Sequence, residues 1–446
     1  MGRVDARTAA VALTVAVVLG DSSVVTIALP DILVRYDVEV VTVAWVLTAY
    51  NIVLALAAVP GAYLARRRPR KVAVAGLLLF AASSVTCGLA PSFGILVAAR
   101  AVQAVGGALI LGSALELLRA RTGSRSRSVA IWGGAGIAGA ALGPAVGGVM
   151  TQALGWESIF LAQAPLPILT LAAVSAIVPA VNAPAGRPHV AANGALLLVS
   201  AALSAALFLL AILLINGWRL EPAAAGAVLS VMPVAAIGAG YWANRRRSGS
   251  ARAVPGAVLI VGGLAALALL PRAGWAWTLL PQVAIGAGLG LAVSALTEWA
   301  MHGRDEQSVH GGWTIGARHG GVVLGLLILT PLFSADLERN NDRALAAGTA
   351  AVIDSKIKPT EKLGVAQDVL AAIDGAQGRV PDVRPPLDRR AANAPNPDAY
   401  RALADRLEDE LDRAATSAFG RSFWIAAGFG LLALIPLGLR LREVDP

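Results

Sequence analysis

The stretch 136-GIAGAALGPAVGGVM-150 decides how the chain is read. It lies in an apolar run long enough to cross a bilayer, yet it holds glycines and a proline, which weaken helices in water. Gly139, Gly143 and Gly147 recur every four residues and so share one helical face. Small residues at that spacing let two membrane helices approach until van der Waals contact drives their association. Pro144 removes one intrahelical hydrogen bond and kinks the helix, a cost that a neighbour pressed on the glycine face offsets. With Gly148 beside it, the stretch reads as a tight, bent contact between membrane helices, fit to open or close one end of a path. Ordinary membrane packing is the plainer alternative.

Composition points the same way. Of 446 residues, 57% are hydrophobic and only 15% charged, where a soluble domain is nearer a quarter charged; the mean hydropathy is +0.68. A polytopic membrane protein follows. Twelve runs are long enough to span: 8–30, 43–65, 72–90, 92–118, 128–152, 158–181, 194–217, 222–244, 253–271, 275–300, 311–334 and 420–441. The first is too long for a cleavable signal peptide, and "VVTIALPDIL" lacks a small-residue cleavage site. Cys87 is the sole cysteine, which excludes an intramolecular disulfide. Four scattered histidines make no metal pattern, and no cofactor is expected. The net charge of +9 sits in short clusters between apolar runs, not on one solvated face, so a nucleic-acid partner is not expected.

Those clusters give an orientation. "RRRPRK" (66–71), "RARTGSRSR" (119–127) and "RRRSGSAR" (245–252) follow even-numbered spans, while the loops after odd-numbered spans hold Arg35, Arg219 and Arg272. The positive-inside rule then places both termini in the cytoplasm of a cell (plasma) membrane protein. The polar linker 182–193, "NAPAGRPHVAAN", divides the spans six and six. The expected domains are an N-terminal six-helix bundle (1–181), a cytoplasmic linker (182–193), a C-terminal six-helix bundle (194–334 and 420–446), and an insertion (335–419) between spans 11 and 12.

The insertion is hydrophilic and, by this orientation, extracytoplasmic. It holds 15 of the 28 acidic residues and 12 of the 37 basic ones. "PNPDAYRALADRLEDELDRAATSAF" carries an apolar stripe at Leu403, Leu407 and Leu411 and reads as an amphipathic helix, as does "PTEKLGVAQDVLAAIDGA". "GRVPDVRPPLDRRAANAPNPDA" between them reads as irregular coil. The segment is either a solvated cap or a domain that receives a partner or substrate.

Five motifs carry a family resemblance. "GAALGPAVGG" in span 5 resembles the antiporter motif of major facilitator superfamily exporters. "GDSSVVTIALP" (20–30) is similar to the span 1 motif of the drug/proton antiporters. "LVAARAVQAVGGALI" (96–110) looks like the span 4 motif, with Arg100 at its arginine. "WESIFLAQAP" (156–165) and "WTIGARHGGVVLG" (313–325) resemble the segments of spans 6 and 11. The chain is identified as a member of that superfamily, resembling the multidrug-exporter branch without the two extra central spans common in its closest part. The resemblance implies the major facilitator fold, all-α, with twelve transmembrane helices in two bundles. It departs from the pattern at Ala65, where an aspartate that helps latch the cytoplasmic side is expected, and at Arg68 and Ala104, where glycines are usual.

Charges inside the membrane are functional candidates, because each costs at least about 2.5–3.5 kcal/mol at the bilayer centre. They are Asp21, Arg100, Glu116, Glu298 and Arg318. Asp21 lies near the midplane, where desolvation favours a bound proton; it is either a proton-coupling or cation-recognising group, or a structural partner of serine or backbone groups. Arg100 keeps its proton and serves to tune that carboxylate, to orient a substrate or to hold structure. Glu116 and Glu298, near helix ends, are expected to snorkel or to pair with loop arginines. Tyr50, Asn51, Gln103, Gln163, Trp313 and Arg318, with His319 beside the last, are expected to line a substrate cavity or join helices. The leading expectation is a secondary active, proton-coupled exporter of small amphipathic compounds or drugs, monomeric in the lipid bilayer, with protons as coupling ion. No GxxxxGK[ST] motif suggests ATP-driven transport, and no acid–base or metal constellation suggests an enzyme. The alternatives are a lipid or cell-envelope precursor transporter, and a non-transporting scaffold or sensor acting through its outer domain.

Overall fold

A computed structural model describes residues 5–176, 186–244, 252–271, 274–301, 307–374 and 381–443. The described residues are helical, without strands. The first six spans comprise α1 (Ala6–Tyr36), α2 (Val40–Val43) with α3 (Trp45–Arg67), α4 (Pro69–Gly88), α5 (Phe93–Thr122), α6 (Arg125–Leu154), and α7 (Glu157–Gln163) with α8 (Pro165–Thr170) and a closing 3-10 turn. The next five are α9 (Val190–Ile212) with a π-turn at its end, α10 (Pro222–Leu229) with α11 (Val231–Asn244), α12 (Ala253–Ala268), α13 (Ala276–Met301) and α14 (Gln307–Asp354). Helices α15 (Pro359–Asp374) and α16 (Arg384–Asn393) precede α17 (Pro397–Leu432), which with α18 (Leu434–Glu443) forms the last span. Among the described residues, eleven helices are long and apolar enough to cross a membrane, and Ala253–Ala268 is a shorter apolar helix where the ninth span is expected.

Local chemistry sets several ends. Asp5 caps α1, accepting a hydrogen bond from Thr8 N at 2.9 Å, and also pairs with Arg121. Gly123 (φ 63°) and Gly155 (φ 83°) take the positive φ that ends α5 and α6. Pro165 and Pro167 break span 6 into short pieces. The expected tail of that span, 177–181, and the linker residues 182–185 lie outside the described residues. His189 caps α9, so the last four residues of the expected linker are already helical.

The two halves repeat one packing scheme. Helix α1 packs on α6 as α9 packs on α14, and α3 and α4 pack on α5 as α11 and α12 pack on α13. The halves meet where α14 lies on α3 and where α10 and α11 lie on α6. At the insertion end, first-half residues such as Val25, Leu29, Val43 and Phe160 join second-half residues in one buried apolar cluster. At the opposite end, among the described residues, the buried first-half cluster takes Ile315 alone from the second half.

The insertion is built differently from its expectation. Helix α14 continues unbroken past the end of span 11, and α17 runs unbroken into span 12. Leu403 and Leu407 are buried as the stripe requires, with Val365, Val383, Leu387 and Ala351 in a separate small core. The expected coil is corrected: Arg384–Asn393 is a helix. Its two prolines occupy the first turn, where the missing N–H costs nothing, and Leu387 and Ala391 are buried in that small core. Residues 375–380, part of the same stretch, lie outside the described residues.

Candidate functional site

Asp21 is the sixteenth of 31 residues of α1, at the middle of the helix. Its side chain and that of Arg100 on α5 are both 0% exposed. Arg100 Nη2 donates to Asp21 Oδ2 at 2.5 Å, Nη1 donates to Gln103 Oε1 at 2.6 Å, and Nε donates to the Val46 carbonyl at 3.1 Å. Gln103 Nε2 donates to Gln163 Oε1 at 3.0 Å and to Ser84 Oγ at 2.7 Å. Gln163 Nε2 returns to Asp21 Oδ1 at 3.1 Å. Asp21, Arg100, Gln103 and Gln163 thus form a closed ring drawn from spans 1, 4 and 6. Tyr50 lies under the guanidinium, 4.1 Å from ring centroid to Cζ, and donates its hydroxyl to the Val18 carbonyl at 3.0 Å. A buried arginine is tolerated when paired, hydrogen-bonded and covered by an aromatic face.

This placement sorts the expected site residues. Tyr50, Gln103 and Gln163 are engaged inside the first half, around Asp21 and Arg100. Asn51, on the same helix as Tyr50, joins the halves: His319 Nδ1 lies 2.6 Å from Asn51 Oδ1. That oxygen only accepts, so the histidine carries its proton on Nδ1. Asn51 Nδ2 in turn donates to the Leu47 carbonyl at 2.7 Å and to Ser22 Oγ at 3.1 Å. Trp313 is five residues from Arg318, about 140° around the helix. It is 39% exposed, on a stripe shared with Leu327 and Ile328, and is not brought to the arginine. Glu298 pairs with Arg252 at 3.0 Å.

The glycine face resolves into two contacts. A methyl on Gly139 would overlap the Ala16 carbonyl, and one on Gly147 would lie 2.5 Å from the Val24 carbonyl. With Gly143 against Ser23 and Val24, this face seats α1 on α6 within the first half. Gly148 instead faces Pro222, and the Pro144 carbonyl faces Gly226, so these two positions form the contact between halves at the insertion end. Toward the opposite end, Gly312 and Gly316 of α14 lie against Ala58 and Ala55 of α3.

Ser84, Ser22 and the bond between Asn51 and His319 join the site without a signal in the sequence. The spacing of Arg100 and Gln103, three residues apart on one helix, was a usable signal; nothing local connects span 6 to Asp21.

Residues 11–326 match the Major Facilitator Superfamily, and the chain belongs to it. That family and the helical architecture define the class, multi-pass membrane transporters. Among relatives, the multidrug efflux pump LfrA of Mycolicibacterium smegmatis is 37% identical over 172 residues, 36% of this chain and 34% of that protein. The methylenomycin A resistance protein of Streptomyces coelicolor is 33% identical over 229 residues, 50% of this chain and 46% of that protein. The chain spans less than half the length of the curated relatives it matches. A solved bacterial homologue of the human lysosomal transporter Spinster, in an inward-facing and occupied conformation, aligns over 96% of both chains with a TM-score of 0.63 and 16% identity. At that identity the likeness shows the fold alone.

Proposed function

We propose that the chain is a proton-coupled exporter of small amphipathic compounds in the plasma membrane. The observation that carries this reading is the closed ring around Asp21: a single carboxylate at mid-helix, with its charge balanced by an arginine that cannot release its own proton. Protonating Asp21 removes the counter-charge of Arg100 and rearranges side chains on spans 1, 4 and 6. That change biases how the first half packs, which is what coupling a proton to a rocking motion requires. Gly139, Gly143 and Gly147 keep α1 and α6 moving as a pair, and Gly148 with Pro144 forms the seam at the insertion end. The basic loops support an orientation with the two ends of the chain in the cytoplasm and residues 335–419 outside. Cargo binds between the two halves of a monomer.

The test is transport of a fluorescent amphipathic dye in proteoliposomes under an imposed pH gradient. Transport is expected to collapse when the gradient is dissipated. Folded Asp21→Asn protein is expected to lose gradient dependence; gradient-driven transport that persists unchanged rejects Asp21 as the proton carrier.

A second reading, movement of a lipid or envelope precursor, draws support from a groove of about 700 Å³ where the insertion meets span ends. Leu267, Leu269 and Leu270 line it together with Asn340, Ser417 and the Glu410–Arg413 pair, so it offers both apolar and polar surface. Flipping of fluorescent phospholipids by the purified protein would favour it over drug export.

A further inference from the structure

Arg318 stands near mid-depth in span 11 without a counter-charge: it makes no hydrogen bond or ion pair among the described residues. At about 100° per residue, it shares a face of α14 with Ile315 and Leu329, which are 3% and 1% exposed. The exposed Trp313 and Leu327 lie on the far side. Arg318 is therefore turned toward the interior, and its own exposure is intermediate, so it is not sealed in packing. Next to it His319 holds Asn51 of the opposite half, which puts the arginine at the seam between halves. Asp21, the carboxylate at mid-helix, is already balanced by Arg100. The mid-depth charges Asp21, Arg100 and Arg318 thus sum to one positive charge, and it is Arg318 that remains open to a ligand.

We propose that Arg318 binds the anionic group of the cargo, and that the cargo class is amphipathic carboxylates. A guanidinium presents two parallel donors that match a carboxylate, and the half-buried Val322, one turn further along the same face, offers apolar surface to the remainder of such a molecule. An unpaired arginine is costly at this depth, and an arriving anion removes that cost, whereas a cationic cargo adds to it. The inference deepens the exporter reading and rests on it for the direction of transport, but not for binding.

The experiment is equilibrium binding to purified full-length protein in phosphatidylcholine nanodiscs, without a pH gradient. The probes are a dansyl-labelled long-chain fatty acid, its methyl ester and the amine of the same chain. The native protein is expected to bind the acid at least about tenfold more tightly than the ester or the amine, the scale of a charge-assisted hydrogen-bonded pair. Arg318→Gln is expected to remove that preference by weakening acid binding at least about tenfold while ester binding changes much less, and Arg318→Lys to keep part of it. Equal affinity for acid and amine, or a preference that survives in Arg318→Gln, overturns the proposal. Displacement of the acid by phosphatidylglycerol but not by unlabelled carboxylates assigns the arginine to a lipid headgroup and also overturns it. If Arg318→Gln does not fold, the selectivity of the native protein and of Arg318→Lys decides the matter. Because no gradient is used, loss of proton coupling in the transport assay leaves this result intact, so the two readings fail separately.

Discussion

At the scale of the residue, the ring around Asp21 makes single and double substitutions behave differently. Asp21→Asn keeps the shape of the side chain but leaves Arg100 charged and unpaired in a fully buried position. Breaking one side of a buried pair costs about 3–5 kcal/mol. Adding Arg100→Gln removes the stranded charge, so the double variant is expected to melt at a higher temperature than Asp21→Asn alone. Thermal unfolding in detergent checks the order; a double variant less stable than the single one would show that the cost lies elsewhere than in the uncompensated charge. The cap of α1 is a second residue-scale case. Its hydrogen bonds with Thr8 and Arg121 hold the Asp5 carboxylate at about 2, below its ordinary 3.8. A depressed carboxylate stabilises fully above the ordinary value and is lost as pH falls through the lowered one. Amide exchange in the first turn of α1 is expected to stay slow at pH 4 and to rise as pH approaches 2.

At the scale of the element, glycines of α6 that look alike in sequence differ in role. Nothing lies within 4 Å of a methyl placed on Gly134, whereas one on Gly139 meets the backbone of Ala16. Gly134→Ala is expected to stabilise the helix by about 0.5–1 kcal/mol through backbone entropy. Gly139→Ala forces α1 and α6 apart and is expected to cost about 1–3 kcal/mol. Melting temperatures of the two purified variants should move in opposite directions. Four-residue spacing announced a packing face in this stretch. It did not announce that Gly148 and Pro144 belong to a different neighbour from Gly139, Gly143 and Gly147, because periodicity defines a face and not its partner.

At the scale of the molecule, transport by rocking requires α3 and α14 to separate. A Cβ placed on Gly312 would lie 3.3 Å from the Ala62 Cβ, close enough for a disulfide between cysteines at both positions. In a Cys87→Ala background, Ala62→Cys with Gly312→Cys is expected to cross-link on mild oxidation, to stop transport and to recover with reductant. Unimpaired transport by the cross-linked protein would show that this seam stays shut throughout the cycle. The insertion adds a fixed contact at the other end: Arg219 lies 3.6 Å from Asp382, and Trp218 Nε1 donates to Thr416 at 3.2 Å. These contacts tie the residues between α9 and α10 to the insertion and to α17.

The sequence by itself determined the membrane-spanning segments, the division into two sets of spans and the identity of Asp21, Arg100 and Arg318 as candidates. Hydrocarbon forces each spanning backbone to satisfy its own hydrogen bonds and makes each buried charge expensive, and both constraints are written in local composition. Only the tertiary structure decided which polar groups meet. Gln163 reaches Asp21 across 142 residues of chain, His319 reaches Asn51 across 268, and Trp313 turns away from Arg318. In the insertion, a stretch with the composition of coil became a helix because its prolines fall in the first turn and its Leu387 has a core to enter. Such outcomes depend on which helices lie side by side, and neighbours in space leave no periodic trace along the chain.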